Sequence, residues 1–400
     1  MYNIRKVTDD ITWIGASDRR LALFENIFPI SRGVSYNSYI LVDEQTVLFD
    51  TVDASVAGQF FENLEAVLEG RTLDYLIVNH MEPDHCAMIG DIVRRYPDVK
   101  IVGNTKTFGM MNQFFGTDFA DRSIVVKEGD TLSAGKHTLH FVMAPMVHWP
   151  EAMVTYDDVD KVLFSADGFG SFGALNGNIF ADEVDFDRDG LDDARRYYTN
   201  IVGKYGASVQ TLLKKAAGLD IAMICPLHGP VWRENLPYIL EKYQKWSTYE
   251  AEDQAVVIMY ASMYGNTASA ADALAGALAV RSVKKIAVYD VSNTHVSELI
   301  SEIFRASHLV FAVPTYNAGI YPVMENLLSD MKALAVQKKT VAVMENGTWA
   351  PTAAKQVKEK LGEMKDMTIL DAGLTIKSAM HAGQKAELDA LADEIVKSMM

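Results

Sequence analysis

Tyr75-Leu76-Ile77-Val78-Asn79-His80-Met81-Glu82-Pro83-Asp84-His85 decides how the first half of this chain is read. Tyr-Leu-Ile-Val has the composition of a short buried strand. The strand then releases four potential metal ligands, His80, Glu82, Asp84 and His85, within six residues. On an extended or turning backbone, alternation aims such side chains at two adjacent points. Three more candidates stand at the ends of later strand-like runs: His148 after Val142-Met143-Ala144-Pro145, Asp167 after Leu163-Phe164-Ser165, and His228 after Ile224-Cys225-Pro226. Ligands gathered from several strand ends are what a rigid site requires. Taken singly, each has a bland explanation, since a histidine near a strand end is usually a loop residue and Asp167 before Gly168 suits a turn. Taken together, four of the nine histidines and three carboxylates fall on one pattern, and a metal site is the expectation.

Working outward, strands are expected at 38–42, 46–49, 75–78, 101–102, 139–143, 162–164 and 221–224, where β-branched and aromatic residues are frequent. Helical patterns intervene at 57–68 and 191–217. The stretch 238–254 reads as helical and then as acidic and polar from Thr248 to Gln254, and the domain boundary is placed there, near residue 250, giving domains 1–250 and 251–400. Beyond it, strands at 255–260, 285–289, 308–313, 340–344 and 368–374 alternate with helices, the pattern of a doubly wound parallel sheet.

Three loops of that second domain carry a consistent chemistry. Ser262-Met263-Tyr264-Gly265-Asn266-Thr267 follows the first strand and opens a helix. Its hydroxyls and backbone N–H groups, with the helix dipole, can close around a phosphate. Such a loop is also a common N-cap. Pro314-Thr315-Tyr316-Asn317-Ala318-Gly319 follows the third strand, and Asn346-Gly347-Thr348-Trp349 the fourth. All three belong to the C-terminal edge of a parallel sheet, where ligands bind in such folds. Tyr316 and Trp349 are placed near a ring, although either residue suits ordinary packing.

Composition narrows the function classes. Four hundred residues with 49% apolar and 22% charged content suit two globular domains. A net charge of −16 disfavours nonspecific nucleic-acid binding, which needs surplus cations. No apolar run reaches the roughly 18 residues of a membrane span, and no signal sequence is recognised, so a cytoplasmic protein is expected. Cys86 and Cys225 are the only cysteines. That leaves no disulfide framework, thiolate zinc site or built-in iron–sulfur centre, so an electron donor would be a separate molecule.

The first half resembles the metallo-β-lactamase fold, an αββα sandwich whose motif is H-x-H-x-D-H with a later His, bridging Asp and final His. Here the second His is Glu82, and H-x-E-x-D-H is the motif of the flavodi-iron proteins. The second half resembles flavodoxin, and Pro314-Thr315-Tyr316-Asn317-Ala318-Gly319-Ile320-Tyr321-Pro322 stands much as the flavodi-iron flavin domain has it. The resemblance covers nearly the whole chain and implies a minimal two-domain member. It implies one iron on His80, Glu82 and His148, a second on Asp84, His85 and His228, Asp167 bridging, and FMN on the three loops. In some members the histidine at the position of His85 swings away from the metal.

A carboxylate in place of an imidazole independently favours iron or manganese over zinc. Zinc would support only hydrolysis. The resemblance implies reduction of dioxygen to water, or of nitric oxide to nitrous oxide, with electrons from rubredoxin or a reduced deazaflavin coenzyme. It also implies a head-to-tail homodimer, or a tetramer of such dimers. Two rivals remain: a zinc hydrolase with an attached flavodoxin-like domain, and a non-catalytic electron carrier. Glu25, Trp149 and Tyr197 or Tyr198 are candidates for tuning gas preference, each with packing or surface exposure as its bland alternative.

Overall fold

The structure, a computed structural model, describes residues 1–400. It divides into two compact units, Met1–Tyr198 with Ala207–Tyr243, and Thr199–Gly206 with Gln244–Met400.

The first unit is built on two sheets. Seven strands run in the order 5–6, 11–13, 39–42, 46–49, 75–77, 100–103, 123–125, and five in the order 131–133, 138–143, 153–157, 162–164, 223–225. Tyr39–Val42 and Thr46–Phe49 form an antiparallel hairpin, and Thr46–Phe49 then runs parallel to Tyr75–Ile77. The parallel connection is made by the helix Ala57–Leu68, which buries Phe60, Phe61, Leu64 and Leu68 and ends at Glu69 in the left-handed conformation. Between the sheets, Phe49 of one stacks on Phe164 of the other at 3.7 Å. Both rings are buried, and each contributes roughly 1.5–3 kcal/mol by leaving water. This packing matters for function because Asp50 and Ser165, the residues after those rings, start the loops that build the metal cluster.

The second unit is one parallel sheet ordered 286–290, 253–260, 306–316, 340–346, 368–376. In sequence terms the order is second, first, third, fourth, fifth, so the chain reverses direction between the first and third strands. Alternate residues feed opposite layers. Val257 and Met259 pack with the helices 296–305, 322–333 and 353–362, whereas Val256 and Ile258 pack with the helices 266–280 and 385–398. Burial on both faces explains why these strands read as unbroken apolar runs.

Differences from the expected elements bear on the fold. The continuous helix expected over 191–217 is interrupted: Leu191–Tyr197 and Gly206–Ala216 are α-helical, with a π turn Tyr198–Val202 and a 3₁₀ turn Gly203–Tyr205 between them. Two glycines and β-branched Thr199, Ile201 and Val202 weaken the middle of that pattern. The helix expected from Tyr238 is Leu236–Thr248, ending where the acidic stretch begins, and Gln254 of that stretch already lies in the strand Asp253–Tyr260. Tyr249 breaks the helix by adopting φ +60°. The strand Met153–Asp157 was not anticipated; all five of its residues are buried, so it lacks the polar alternation that marks a half-exposed strand.

Candidate metal centre and flavin loops

The strand Tyr75–Ile77 ends beside Asp50, whose carboxylate accepts from Asn79 N (2.7 Å), Asn79 Nδ2 (2.8 Å) and His80 N (3.1 Å). This clamp fixes the turn that carries His80. Glu82 is extended, and Pro83 then opens the short helix Pro83–Cys86, which turns Asp84 and His85 away from Glu82. Such a strand-to-helix switch splits four neighbouring ligands between two points.

The split is visible in the distances. Glu82 Oε2 lies 3.3 Å from His80 Nε2 and 2.9 Å from His148 Nε2. Asp84 lies 3.4 Å from His85 Nε2 and 3.2 Å from His228 Nε2. Asp167 serves both groups, with Oδ2 3.1 Å from His80 and from His148, and Oδ1 3.2 Å from His85. The structure thus brings all seven expected side chains together, as His80–Glu82–His148–Asp167 and Asp84–His85–His228. His85 points inward, its Nε2 3.0 Å from His228 Nε2.

These groups fit cations and little else. Both carboxylate oxygens of Asp84 and of Asp167 are buried without a hydrogen-bond donor that satisfies them. An uncompensated buried carboxylate costs several kcal/mol. The electrostatics show the same demand. Burial disfavours charge on His148, but hydrogen bonds to Asp167 and Glu82 outweigh it and raise its pKa to about 9. Burial likewise opposes charge on His80, yet Asp167, Glu151 and Glu82 push it well up. Asp167 is held well below the usual carboxylate range by His80 and His85 despite its burial. The site attracts positive charge at the points where two ions would sit. A mixed imidazole–carboxylate set of this kind suits iron.

Surrounding residues complete the picture. The Trp149 ring stands edge-on to His80 at 5.4 Å, and the Tyr197 ring lies 5.4 Å from His228, with its hydroxyl buried and unpartnered. Burial, then the charge of Glu82, raises Glu25 to about 8. Tyr198 instead packs on Tyr243 at 5.0 Å. Two residues escaped the sequence reading, Asp50 and Glu151. Asp50 directly follows the strand Thr46–Phe49, and Glu151 follows His148 by three residues. Neither position by itself tells a bonded carboxylate from a solvated one.

In the second unit, Gly265 takes φ +91° and its N–H meets Ser262 Oγ at 3.0 Å. The helix Asn266–Val280 then starts with no side-chain cap, leaving its first N–H groups for an anion. Thr267 is buried, and its hydroxyl accepts from Asn346 Nδ2 at 3.3 Å, tying the first loop to the third. Thr315 Oγ1 accepts from Thr352 N and Ala353 N, and Tyr316 pairs with Gly319 across a turn in which Asn317 and Ala318 both have positive φ. Tyr264 and Trp349 are 93% and 90% exposed, so both present flat faces for a ring system. Phosphate-sized N–H groups, hydroxyls and exposed aromatics together fit FMN.

Comparison with known proteins agrees with both halves. Residues 34–229 match the family model described as ODP family beta lactamase, and residues 258–394 match flavodoxin. The chain is 32% identical over 390 residues to the anaerobic nitric oxide reductase flavorubredoxin of Salmonella paratyphi B, covering 96% of this chain and 79% of that one. The structure superposes on rubredoxin oxygen:oxidoreductase from Desulfovibrio gigas with a TM-score of 0.91 at 29% identity, covering 99% and 98% of the two chains. A variant of the flavo di-iron protein from Thermotoga maritima gives a TM-score of 0.91 at 26% identity, with the same coverage. The chain therefore belongs to the flavodi-iron family, oxidoreductases that join a β-lactamase-like di-iron domain to a flavodoxin-like FMN domain.

Proposed function

We propose that this enzyme reduces dioxygen to water or nitric oxide to nitrous oxide, drawing electrons through FMN. The observation that carries the proposal is Asp167, buried and facing two donor groups at once. One shared carboxylate between two imidazole–carboxylate sets would hold a pair of ions close enough to act together on a small diatomic substrate. When bound, two irons would supply the electrons that split one dioxygen or couple two nitric oxide molecules. The chain's residues hold the pair. His80, Glu82 and His148 take one ion, Asp84, His85 and His228 the other, and burial keeps bulk water from the pair. Ser262 through Thr267 take the FMN phosphate, while residues 314–319 and 346–349 flank the ring.

Dioxygen takes up four electrons and four protons to give two waters. Two nitric oxide molecules take up two electrons and two protons to give nitrous oxide and water. The relatives' names contain rubredoxin, which supports rubredoxin as donor here; a reduced deazaflavin coenzyme is the other donor proposed. We further propose a cytoplasmic head-to-tail homodimer, or a tetramer of such dimers, because electron transfer requires flavin and metal pair to be close and a two-fold pair satisfies both sites at once. No helix is long and apolar enough to cross a membrane.

The test is anaerobic turnover of the iron- and FMN-loaded protein with each gas and a chemically reduced donor, beside metal analysis. Iron with flavin absorbance and gas consumption is expected. Zinc in place of iron, with hydrolytic activity, would overturn the reading. For the dimer, a metal-dead chain (His80→Ala with Asp167→Ala) mixed with a flavin-dead chain should regain part of the activity; mixed dimers that form and stay inactive would break that arrangement.

A further inference from the structure

The imidazoles of the two donor groups are not supported alike. His80 Nδ1 meets Glu151 Oε1 at 2.8 Å, and Met81 N donates to the same oxygen at 2.8 Å. Glu151 is 1% exposed, and its second oxygen is buried without a donor. His228 Nδ1 meets only a backbone carbonyl, Ser35 O, at 2.7 Å. His85 Nδ1 is buried with no partner. So the His80 group has a carboxylate behind one ring, whereas behind its rings the Asp84 group has only a neutral carbonyl.

The bond to Nδ1 has two consequences. It places the proton on Nδ1 and leaves Nε2, the nitrogen that faces Glu82 and Asp167, as the donor atom. It also lends the ring negative charge, since a carboxylate-supported imidazole is a stronger donor than a carbonyl-supported one. Met81 N anchors the same oxygen from the backbone next to His80, so the carboxylate cannot drift along the ring. Charge counting points the same way. With Asp167 shared, the carboxylates placed on the imidazoles are Glu82 and Glu151 for the His80 group and Asp84 for the other; Asp50, buried near His85, is held by Asn79 and the His80 N–H instead of by a ring.

We infer that Glu151 is a positioning residue that makes the two iron sites electronically unequal, lowering the reduction potential at His80–Glu82–His148 below that at Asp84–His85–His228. This rests on the di-iron reading above. With irons and FMN bound, the ion held by Asp84, His85 and His228 would be the more easily reduced of the two, and the ion held by His80, Glu82 and His148 the less easily reduced. The order matters because it keeps the more easily oxidised ion at a defined end of the pair.

The test is a reductive titration of the iron- and FMN-loaded protein, followed by electron paramagnetic resonance for the iron couples and by absorbance for the flavin, in wild type and Glu151→Gln. Glutamine keeps the shape and removes the charge. The lower iron couple should rise, narrowing the gap between the two, while the upper iron couple and the FMN couples stay in place. If Glu151→Gln keeps both irons and neither couple moves, the inference is overturned; it is equally overturned if the upper couple moves instead. Should Glu151→Gln lose iron, Glu151→Asp decides, because it retains a carboxylate one methylene further from Nδ1: a rise of the lower couple supports the inference, and an unmoved one overturns it. Zinc, or no metal, in the wild-type protein would instead break the di-iron reading itself.

Discussion

The metal cluster and the flavin loops are both built at strand ends, yet they are opposite kinds of site. His80, His85 and Asp167 are at most 1% exposed and already converge on two points. Tyr264 and Trp349 are about as exposed as side chains can be. The difference follows from what each must hold. A small cation needs ligand atoms fixed to a fraction of an ångström, so its site is assembled inside a core and the cost of burying charge is offset by the ions. A large planar cofactor with a phosphate supplies its own apolar area, so its loops need only present N–H groups, hydroxyls and flat faces. Removing one group should therefore be severe in the first region and graded in the second.

The largest effect is expected at Asp167. Asp167→Ala removes the oxygens that face both donor groups and leaves their imidazoles and ions to repel one another. Loss of most of the bound iron is expected, more than the roughly 10–100-fold weakening that follows loss of an outer partner of a metal ligand. FMN content should be unchanged. Two irons per chain in this variant, measured beside flavin absorbance, would remove Asp167 from the ligand set and erase the contrast.

The graded counterpart is Ser262→Ala with Thr267→Ala. Each hydroxyl bonded to a charged phosphate is worth roughly 1.5–3 kcal/mol, so FMN should weaken at least about 10-fold per hydroxyl while iron stays. The two need not add, because Thr267 also accepts from Asn346 of another loop. Isothermal titration of the apoflavin protein checks this, and undiminished affinity in the double variant would remove the loop from the flavin site.

How much of this was legible in the sequence differs between the same two regions. The seven clustered residues could be picked out because histidines and carboxylates recurred together at several strand ends in a recognisable spacing. Glu151 could not, since nothing local distinguishes a glutamate after Trp-Pro that bonds His80 Nδ1 from one that faces water. Asp50 was hidden for a like reason: its role depends on the parallel pairing of Thr46–Phe49 with Tyr75–Ile77, a contact between segments about 30 residues apart (as with Asp50 and Asn79, |i−j| = 29). The parallel sheet of the second unit was legible from its apolar runs, although four of its five strands extend further than those runs, because strand ends at a loop carry polar residues such as Glu345 and Asn346. The broken helix over 191–217 shows the remaining limit, since its apolar period continues through residues whose backbone does not.

A second histidine–carboxylate cluster sharpens the comparison from another side. Asp10, His137 and Asp160 also place candidate ligand atoms together. Here, however, His137 Nδ1 meets Asp157 at 2.9 Å and Nε2 meets Asp10 at 3.1 Å, while Lys136 Nζ sits on the same Asp10 oxygen at 2.9 Å. A proton and an ammonium occupy the places an ion would take. Burial opposes charge on His137, but the bonds to Asp157 and Asp10 outweigh it and raise its pKa. A raised folded value stabilises the fold fully below the unfolded value of about 6.5, and that stabilisation fades as pH rises through the folded value. Wild type should exceed His137→Gln by about 1.5–3 kcal/mol at acidic pH, with the difference shrinking at alkaline pH and indifferent to chelator. Urea unfolding across pH measures it; a difference that grows with pH, or one that a chelator abolishes, would assign the cluster otherwise.

The smallest effect is expected at a glycine, and it separates closed from open construction most directly. Gly229 and Gly265 both have positive φ, +74° and +91°, so alanine carries a similar backbone penalty of roughly 1–2 kcal/mol at either. What a new Cβ would meet is different. At Gly229, beside His228, it comes within 2.8 Å of Ser171 Cβ and 3.1 Å of Ser171 N, so backbone must shift in a packed site where Gly229 N also donates to Ser35 Oγ. At Gly265 it meets nothing within 4 Å. Gly229→Ala should therefore disturb His228 and reduce iron content. Gly265→Ala should cost only the backbone term, about 1–2 kcal/mol of its domain's stability, and FMN binding should persist because the loop itself holds φ +91°. Thermal unfolding with metal and flavin analysis of both variants reads the difference. If Gly265→Ala abolished FMN binding, the loop would have to be as tightly specified as the metal site; if Gly229→Ala left iron unchanged, the metal site would have slack that its packing does not suggest.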